Sequence, residues 1–169
     1  MRRSIVLLLP LAALLVAASP ATAAGLDFNV TGGLDVAGSF DLDVLSSNSD
    51  PGFTLGLELM FDVPVVELGV GVEYGFSRNS GVADADAKYW HFYGIGRLFV
   101  FSRFYLAARL GYYDLSVDDI ISGEVGNDYA LGLGAGVGIL RNLKVELIFN
   151  NVTSSLDYDT WAARVVYTF

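Results

Sequence analysis

Apolar residues recur at every second position through most of this chain. Phe53, Leu55, Leu57, Leu59 and Phe61 share one face, with Thr54, Gly56, Glu58, Met60 and Asp62 on the other. Beyond Val63-Pro64, the apolar set Val66, Leu68, Val70, Val72, Tyr74 and Phe76 alternates with Glu67, Gly69, Gly71, Glu73, Gly75 and Ser77. Period two is the strand signature, and two such runs meeting at a proline predict a β-hairpin. Ordinary strands run ~5 to 6 residues, whereas these have the ~9 to 11 that a tilted strand needs to cross a bilayer. The polar face alternates Gly with Glu, which suits a crowded barrel interior. Aromatic residues sit towards the ends of the apolar stripe, as in the girdles that meet lipid headgroups.

The same period gives six more strands. Leu26 to Val36 sets Leu26, Phe28, Val30, Leu34 and Val36 against Asp27, Asn29, Thr31 and Asp35. From Tyr89 to Val100, an arginine is unfavourable against lipid, so Arg97 is placed inside with Tyr89, His91, Tyr93 and Ile95, and Trp90, Phe92, Gly94, Gly96 and Leu98 outside. Phe104, Leu106, Ala108, Leu110 and Tyr112 then face out and Arg109 in; Tyr129, Leu131, Leu133, Ala135, Val137 and Ile139 face out over an inner row of Gly132, Gly134, Gly136 and Gly138. Leu143, Val145, Leu147 and Phe149 oppose Lys144, Glu146, Ile148 and Asn150, and Trp161, Ala163, Val165, Tyr167 and Phe169 oppose Arg164. Long polar loops are expected over Ser39 to Gly52, Arg78 to Asp86, Asp114 to Asn127 and Asn151 to Asp159, alternating with tight turns. The expected architecture is all-β: an eight-stranded, antiparallel, up-and-down transmembrane barrel. Its rival is a soluble lipocalin-like barrel whose apolar faces line a ligand cavity.

Composition narrows this further. Hydrophobic residues make up 53% of 169, yet past the N-terminus no run approaches the ~18 apolar residues of a membrane helix. A barrel is the other structure that pairs every backbone polar group within the bilayer. Residues 1–24 read as a cleaved secretory signal, with Arg2 and Arg3, an apolar run from Ile5 to Val16 and small residues at Ala21-Thr22-Ala23. Pro10 and the shortness of that run argue against a retained anchor. This leaves 25–169 as one barrel domain, exported by the Sec route to the outer membrane of a Gram-negative cell. The chain has no Cys, which excludes disulfides and lipoprotein modification. Its net charge is -9, and loss of Arg2 and Arg3 leaves eight basic against 19 acidic side chains, or -11. Nucleic acid, which is bound through Lys and Arg, is excluded as a partner.

With these features the mature chain resembles the small outer membrane β-barrel family, which holds the OmpA transmembrane domain and the OmpX-like and opacity-like proteins. Its terminal Tyr167-Thr168-Phe169 is similar to the signal read by the barrel assembly machinery, although Arg164 and Ala162 stand where that signal usually has Gly and a polar residue. The resemblance implies a monomer among outer membrane lipids and lipopolysaccharide, with loops that meet a surface or host ligand.

Glu58, Glu67, Glu73 and Glu146 are expected inside, opposite Arg97, Arg109, Lys144 and Arg164. Buried charges must be paired, so a salt-bridge network filling the lumen is expected. The preferred function is structural or adhesin-like, with a charged plugged lumen, no catalysis and no cofactor or metal. A small gated porin is one alternative. A lipid-modifying enzyme is another; it would need His91, the one histidine, beside a serine such as Ser77 or Ser102 and an acid. The glycine row fails the G-x-G-x-x-G spacing and reads as a bare strand face for Tyr105, Tyr113 or Arg109 to lie across. Asp84, Asp86, Asp114, Asp118 and Asp119 lack Ca-loop spacing and read as solvated charge.

Overall fold

The computed structural model describes residues 25–42, 45–48, 50–79, 86–117, 127–153 and 157–169. The expected signal segment lies outside them. Nine strands follow one another: β1 (Leu26–Leu42), β2 (Leu45–Asn48), β3 (Gly52–Val63), β4 (Val66–Asn79), β5 (Asp86–Phe99), β6 (Phe104–Val117), β7 (Asn127–Leu140), β8 (Leu143–Thr153) and β9 (Asp157–Thr168). Each barrel strand pairs antiparallel with the next in sequence, and β9 returns to pair with β1. The closing seam runs from Asn29 opposite Thr168 to Asp41 opposite Asp157, with one register shift between Asp35 and Ala37. β1 and β3 to β9 make a closed eight-stranded up-and-down barrel. The short β2 pairs only with the far end of β1.

The two faces of the wall are inverted relative to a soluble protein. Phe53, Leu110 and Tyr129 are 70%, 65% and 74% exposed, while the largest fully buried side chains among the described residues begin with Arg97, Arg109 and Arg164. β5 faces as its arginine requires: Tyr89, His91, Tyr93, Ile95 and Arg97 are buried, and Phe92 and Leu98 are exposed. On β7 a side chain at Gly136 would collide with the Tyr105 ring, one at Gly134 with Ile148, and one at Gly132 with Asn150 Oδ1. Tyr105 thus takes the bare face and Arg109 only borders it, its Cβ 3.2 Å from where a Gly132 Cβ would stand. Tyr113 instead packs on Tyr89, ring centroids 4.7 Å apart.

The expected loops are shorter than their composition suggests. β1 continues to Leu42 and folds back as β2, so Ser39 to Gly52 is in part a hairpin. β6 runs on to Val117, and β8 to Thr153, where Asn151 Nδ2 donates to Asp159 Oδ1 of β9 at 2.6 Å. Outside hydrocarbon a ladder needs no apolar face, so strands persist where alternation has ended and polar composition alone reads as loop. At the other end the turns are tight. Val65, between β3 and β4, has φ of 67°, a left-handed conformation that β-branched residues rarely adopt, and its carbonyl accepts from Phe99 N at 2.9 Å.

Val65→Gly relieves that strain. The gain is set against the greater entropy of an unfolded glycine, so urea unfolding in lipid vesicles is expected to show a stabilisation of up to about 1 kcal/mol.

Candidate functional site in the barrel lumen

The eight Glu, Lys and Arg side chains expected inside are all buried, from Arg97 at 0% to Lys144 at 9% exposure, and they form one connected ionic network. Arg97 lies at its centre. It donates from Nη2 to Glu58 Oε2 at 2.7 Å and from Nε to Glu146 Oε1 at 2.6 Å, with Glu67 3.6 Å from Nη1. Arg109 joins Glu58 at 3.1 Å, Glu73 at 3.7 Å and Glu146 at 3.9 Å. Lys144 closes on Glu67, with Nζ 2.5 and 2.7 Å from its two oxygens, and Arg164 pairs with Glu73. These bridges cross the lumen: Lys144 on β8 reaches Glu67 on β4, and Arg109 on β6 reaches Glu58 on β3. Four carboxylates meet four cations, so no net charge is left within the set.

Polar neighbours add hydrogen bonds to the carboxylates. Asn29 Nδ2 donates to Glu58 at 3.2 Å, Tyr93 to Glu58 at 3.1 Å and Tyr105 to Glu146 at 3.1 Å. Tyr89 reaches Asp35 at 2.9 Å and Glu73 at 3.3 Å. The Arg109 guanidinium stacks 4.2 Å from the Tyr93 ring centroid, a cation–π contact that keeps it favourable where it is desolvated. Apolar groups fill the gaps: Met60, Tyr93 and Ile95 in one cluster, Tyr105, Ala107 and Ile148 in a second towards the tight turns, and Tyr89, Tyr113, Ala130 and Val152 at the long-loop end. Asp35 and the tyrosines are the members that counting inward Glu, Lys and Arg passes over. Their signal was present, since Asp35, Tyr89 and Tyr93 all fall on inward positions of the alternation.

His91 is 1% exposed and lies between the rings of Tyr93 and Tyr113, at 4.6 and 4.3 Å. Neither ring nitrogen has a hydrogen-bond partner among the described residues. Ser102 stands in the β5–β6 turn at the opposite end of the strand, and the Ser77 side chain lies outside the described residues. Among the described residues no three His, Cys, Asp or Glu side chains converge as metal ligands. Asp114 is exposed, and the side chains of Asp84, Asp86, Asp118 and Asp119 lie outside the description. At the C-terminus, Phe169 N donates to Phe28 O and Thr168 Oγ1 to Asn29 Oδ1. Tyr167 and Phe169 face outward, 40% and 67% exposed, in edge contact at 4.9 Å.

A closed barrel with exposed aliphatics outside and ion pairs inside is built for hydrocarbon, and the comparisons agree. The family model for the outer membrane protein β-barrel domain matches residues 9–169. The chain belongs to that family. Curated protein sequences contain no match. Among solved structures it is similar to Neisserial surface protein A, at 17% identity and TM-score 0.59 over 84% of this chain and 97% of that one. The attachment invasion locus protein Ail of Yersinia pestis gives 16% identity and 0.60 over 86% and 99%. The N-terminal barrel domain of Pseudomonas aeruginosa OprF gives 13% and 0.53 over 83% and 97%. At these identities the likeness is one of fold. The exposed belt of this outer membrane family member is therefore its lipid-facing surface.

Arg97 touches three carboxylates, and removing one partner of a buried pair leaves uncompensated charge. Arg97→Met is expected to lower stability by about 3 to 5 kcal/mol in urea titrations. Adding Glu146→Gln, which restores the balance of the set and leaves Arg109 on Glu58, should recover part of that loss.

Proposed function

We propose that this protein is a non-catalytic, monomeric outer membrane barrel that carries a surface-interaction site on its long-loop end, above a lumen plugged by its own charges. One observation carries the reading: every inward Glu, Lys and Arg of the set is engaged in a single ionic network of side chains 0 to 9% exposed. An eight-stranded interior is only wide enough for side chains to fill it. His91 supports the absence of catalysis, because it is turned into the lumen, away from the lipid that a lipid-modifying enzyme would have to reach. Residues 1–24 serve export by the Sec route, and Tyr167 and Phe169, exposed at the seam, are the groups offered to the assembly machinery.

The similar Ail is an attachment protein, and it has been solved with the heparin analogue sucrose octasulfate. A polyanion does not suit the present chain, whose mature charge is -11 and whose long-loop end holds Asp84, Asp86, Asp114, Asp118 and Asp119. Its surface partner is accordingly cationic, or an anionic surface such as lipopolysaccharide reached through divalent cations. A gated pore is the second reading. It draws on the Lys144–Glu67 pair, whose side chains at 11% and 9% exposure are the part of the network that meets water.

Planar bilayers test the plug: the purified protein is expected to show no steady conductance at neutral pH, and stable channels there would favour the porin. Cells displaying the protein should adhere to a cationic surface, and Asn in place of these five aspartates should abolish this without changing the heat-dependent gel shift of the folded barrel. Adhesion unaffected by those substitutions would remove the loops from the function.

A further inference from the structure

We infer that the lipid-facing wall of β1, β3, β4 and β5 carries a binding groove for one acyl chain of a phospholipid from the periplasmic leaflet. The site lies on the outside of the barrel and is independent of what fills the lumen.

Two rows of outward residues form the sides of the groove. Leu59, Val70 and Gly94 stand directly opposite one another on β3, β4 and β5, and Leu57, Val72 and Phe92 make the next row towards the long-loop end. Between the rows the wall offers only backbone, because the intervening Glu58 and Tyr93 turn into the lumen. The space is about 660 Å³, within the ~300 to 1,000 Å³ of small-molecule sites. Val70 and Phe92 are 62% and 51% exposed, so what remains open is apolar.

Gly94 is the telling position. Glycines on the inward face make room for the protein itself: the rings of Tyr93, Tyr89 and Tyr105 occupy the places where side chains at Gly71, Gly75 and Gly136 would stand. A side chain at Gly94 would meet nothing nearer than 3.8 Å. Packing within the barrel therefore does not require glycine at this exposed site, and a strand glycine with no such use marks the close approach of a ligand. The belt around it faces lipid, and hydrocarbon is the ligand whose chemistry matches the walls.

The course of the groove selects the leaflet. Its first row continues on β1 to Phe28, opposite Leu59. Phe28 lies two residues into β1, its carbonyl accepts from Phe169 N, and its ring stands 6.1 Å from that of Phe169. This is the tight-turn end, which faces the periplasm. Gly94 lies near the middle of β5. The groove thus opens towards the periplasmic headgroups and ends near the bilayer centre. Four strands span three spacings, ~14 Å at ~4.8 Å each, against ~15 Å for one leaflet of a ~30 Å hydrocarbon core. One chain of the periplasmic leaflet fills it from mouth to end, whereas a lipopolysaccharide chain descending from the other leaflet would reach only the end at Gly94.

Native mass spectrometry of the barrel extracted from outer membranes in mild detergent tests this, with the bound lipid identified by its mass. Wild type is expected to carry one phospholipid. Gly94→Leu, which fills the groove, should lower that occupancy at least about tenfold while keeping the heat-dependent gel shift of a folded barrel. Ala135→Leu, at an exposed position of β7 away from the groove, should leave occupancy unchanged. In nanodiscs, a phospholipid with a photoreactive group at its chain end should label wild type around Gly94, a result that needs no variant. A barrel that carries no lipid, lipopolysaccharide or a second copy in place of phospholipid, retention by Gly94→Leu, equal loss in both variants, or labelling spread evenly around the belt would each overturn the groove.

Discussion

Closure of the hydrogen-bond ladder is the constraint on which this structure rests. In hydrocarbon no water is available to an unpaired N–H or C=O, so the first and last strands must meet. The seam from Asn29–Thr168 to Asp41–Asp157 achieves this and joins the two ends of the domain. Closure fixes the girth of the barrel, and eight strands leave a lumen that side chains alone must occupy. From there the choice of residues is narrow. Glycine is needed where a ring from the next strand crosses the wall, as Tyr105 crosses Gly136, and long side chains are needed where the opposite wall has to be reached.

Long inward side chains could have been apolar, and a packed apolar core is often as stable as a buried ion pair or more so. The network is therefore better understood as a specifier than as a source of stability. Arg97 bonds both Glu58 and Glu146 only when β3 and β8 present them at the correct height. A strand slipped by one residue would turn these charges into lipid and its leucines into the lumen. Interior electrostatics and exterior hydrophobicity thus select the same register, which is how a strand of alternating small and large residues avoids ambiguity.

Much of this was legible in the sequence, for reasons that can be named. Period two is strict wherever one face meets lipid and the other a packed interior, so the facing of β3, β6, β7 and β8 follows from it. In β5, where both faces carry aromatics, Arg97 alone decided. The outer ends were less legible. Ser39 to Gly52 and Asn151 to Asp159 read as loop because polar residues dominate them, yet β1 runs on to Leu42 and pairs with β2, and β8 runs on to Thr153 and places Asn151 against Asp159. Which charges pair was not legible either. Cross-strand register would join Arg164 to Glu146, but strand tilt and the narrow lumen turn Arg164 towards Glu73 on the far wall.

The two ends of the lumen are sealed by different chemistry, and this gives the barrel a direction. At the tight-turn end the last contact is ionic, Lys144 on Glu67 beside the Phe99 ring, with both charges touching water. At the long-loop end the seal is a stack of rings, Tyr89 on Tyr113 and Tyr113 on His91, closed by Ala130 and Val152. Salt screens an ion pair that water can reach far more than one that is fully buried, whereas stacked rings are held by apolar burial that salt barely alters. Ionic strength therefore acts first on the Lys144–Glu67 side, and the opposite end answers only to changes in the groups packed against its rings.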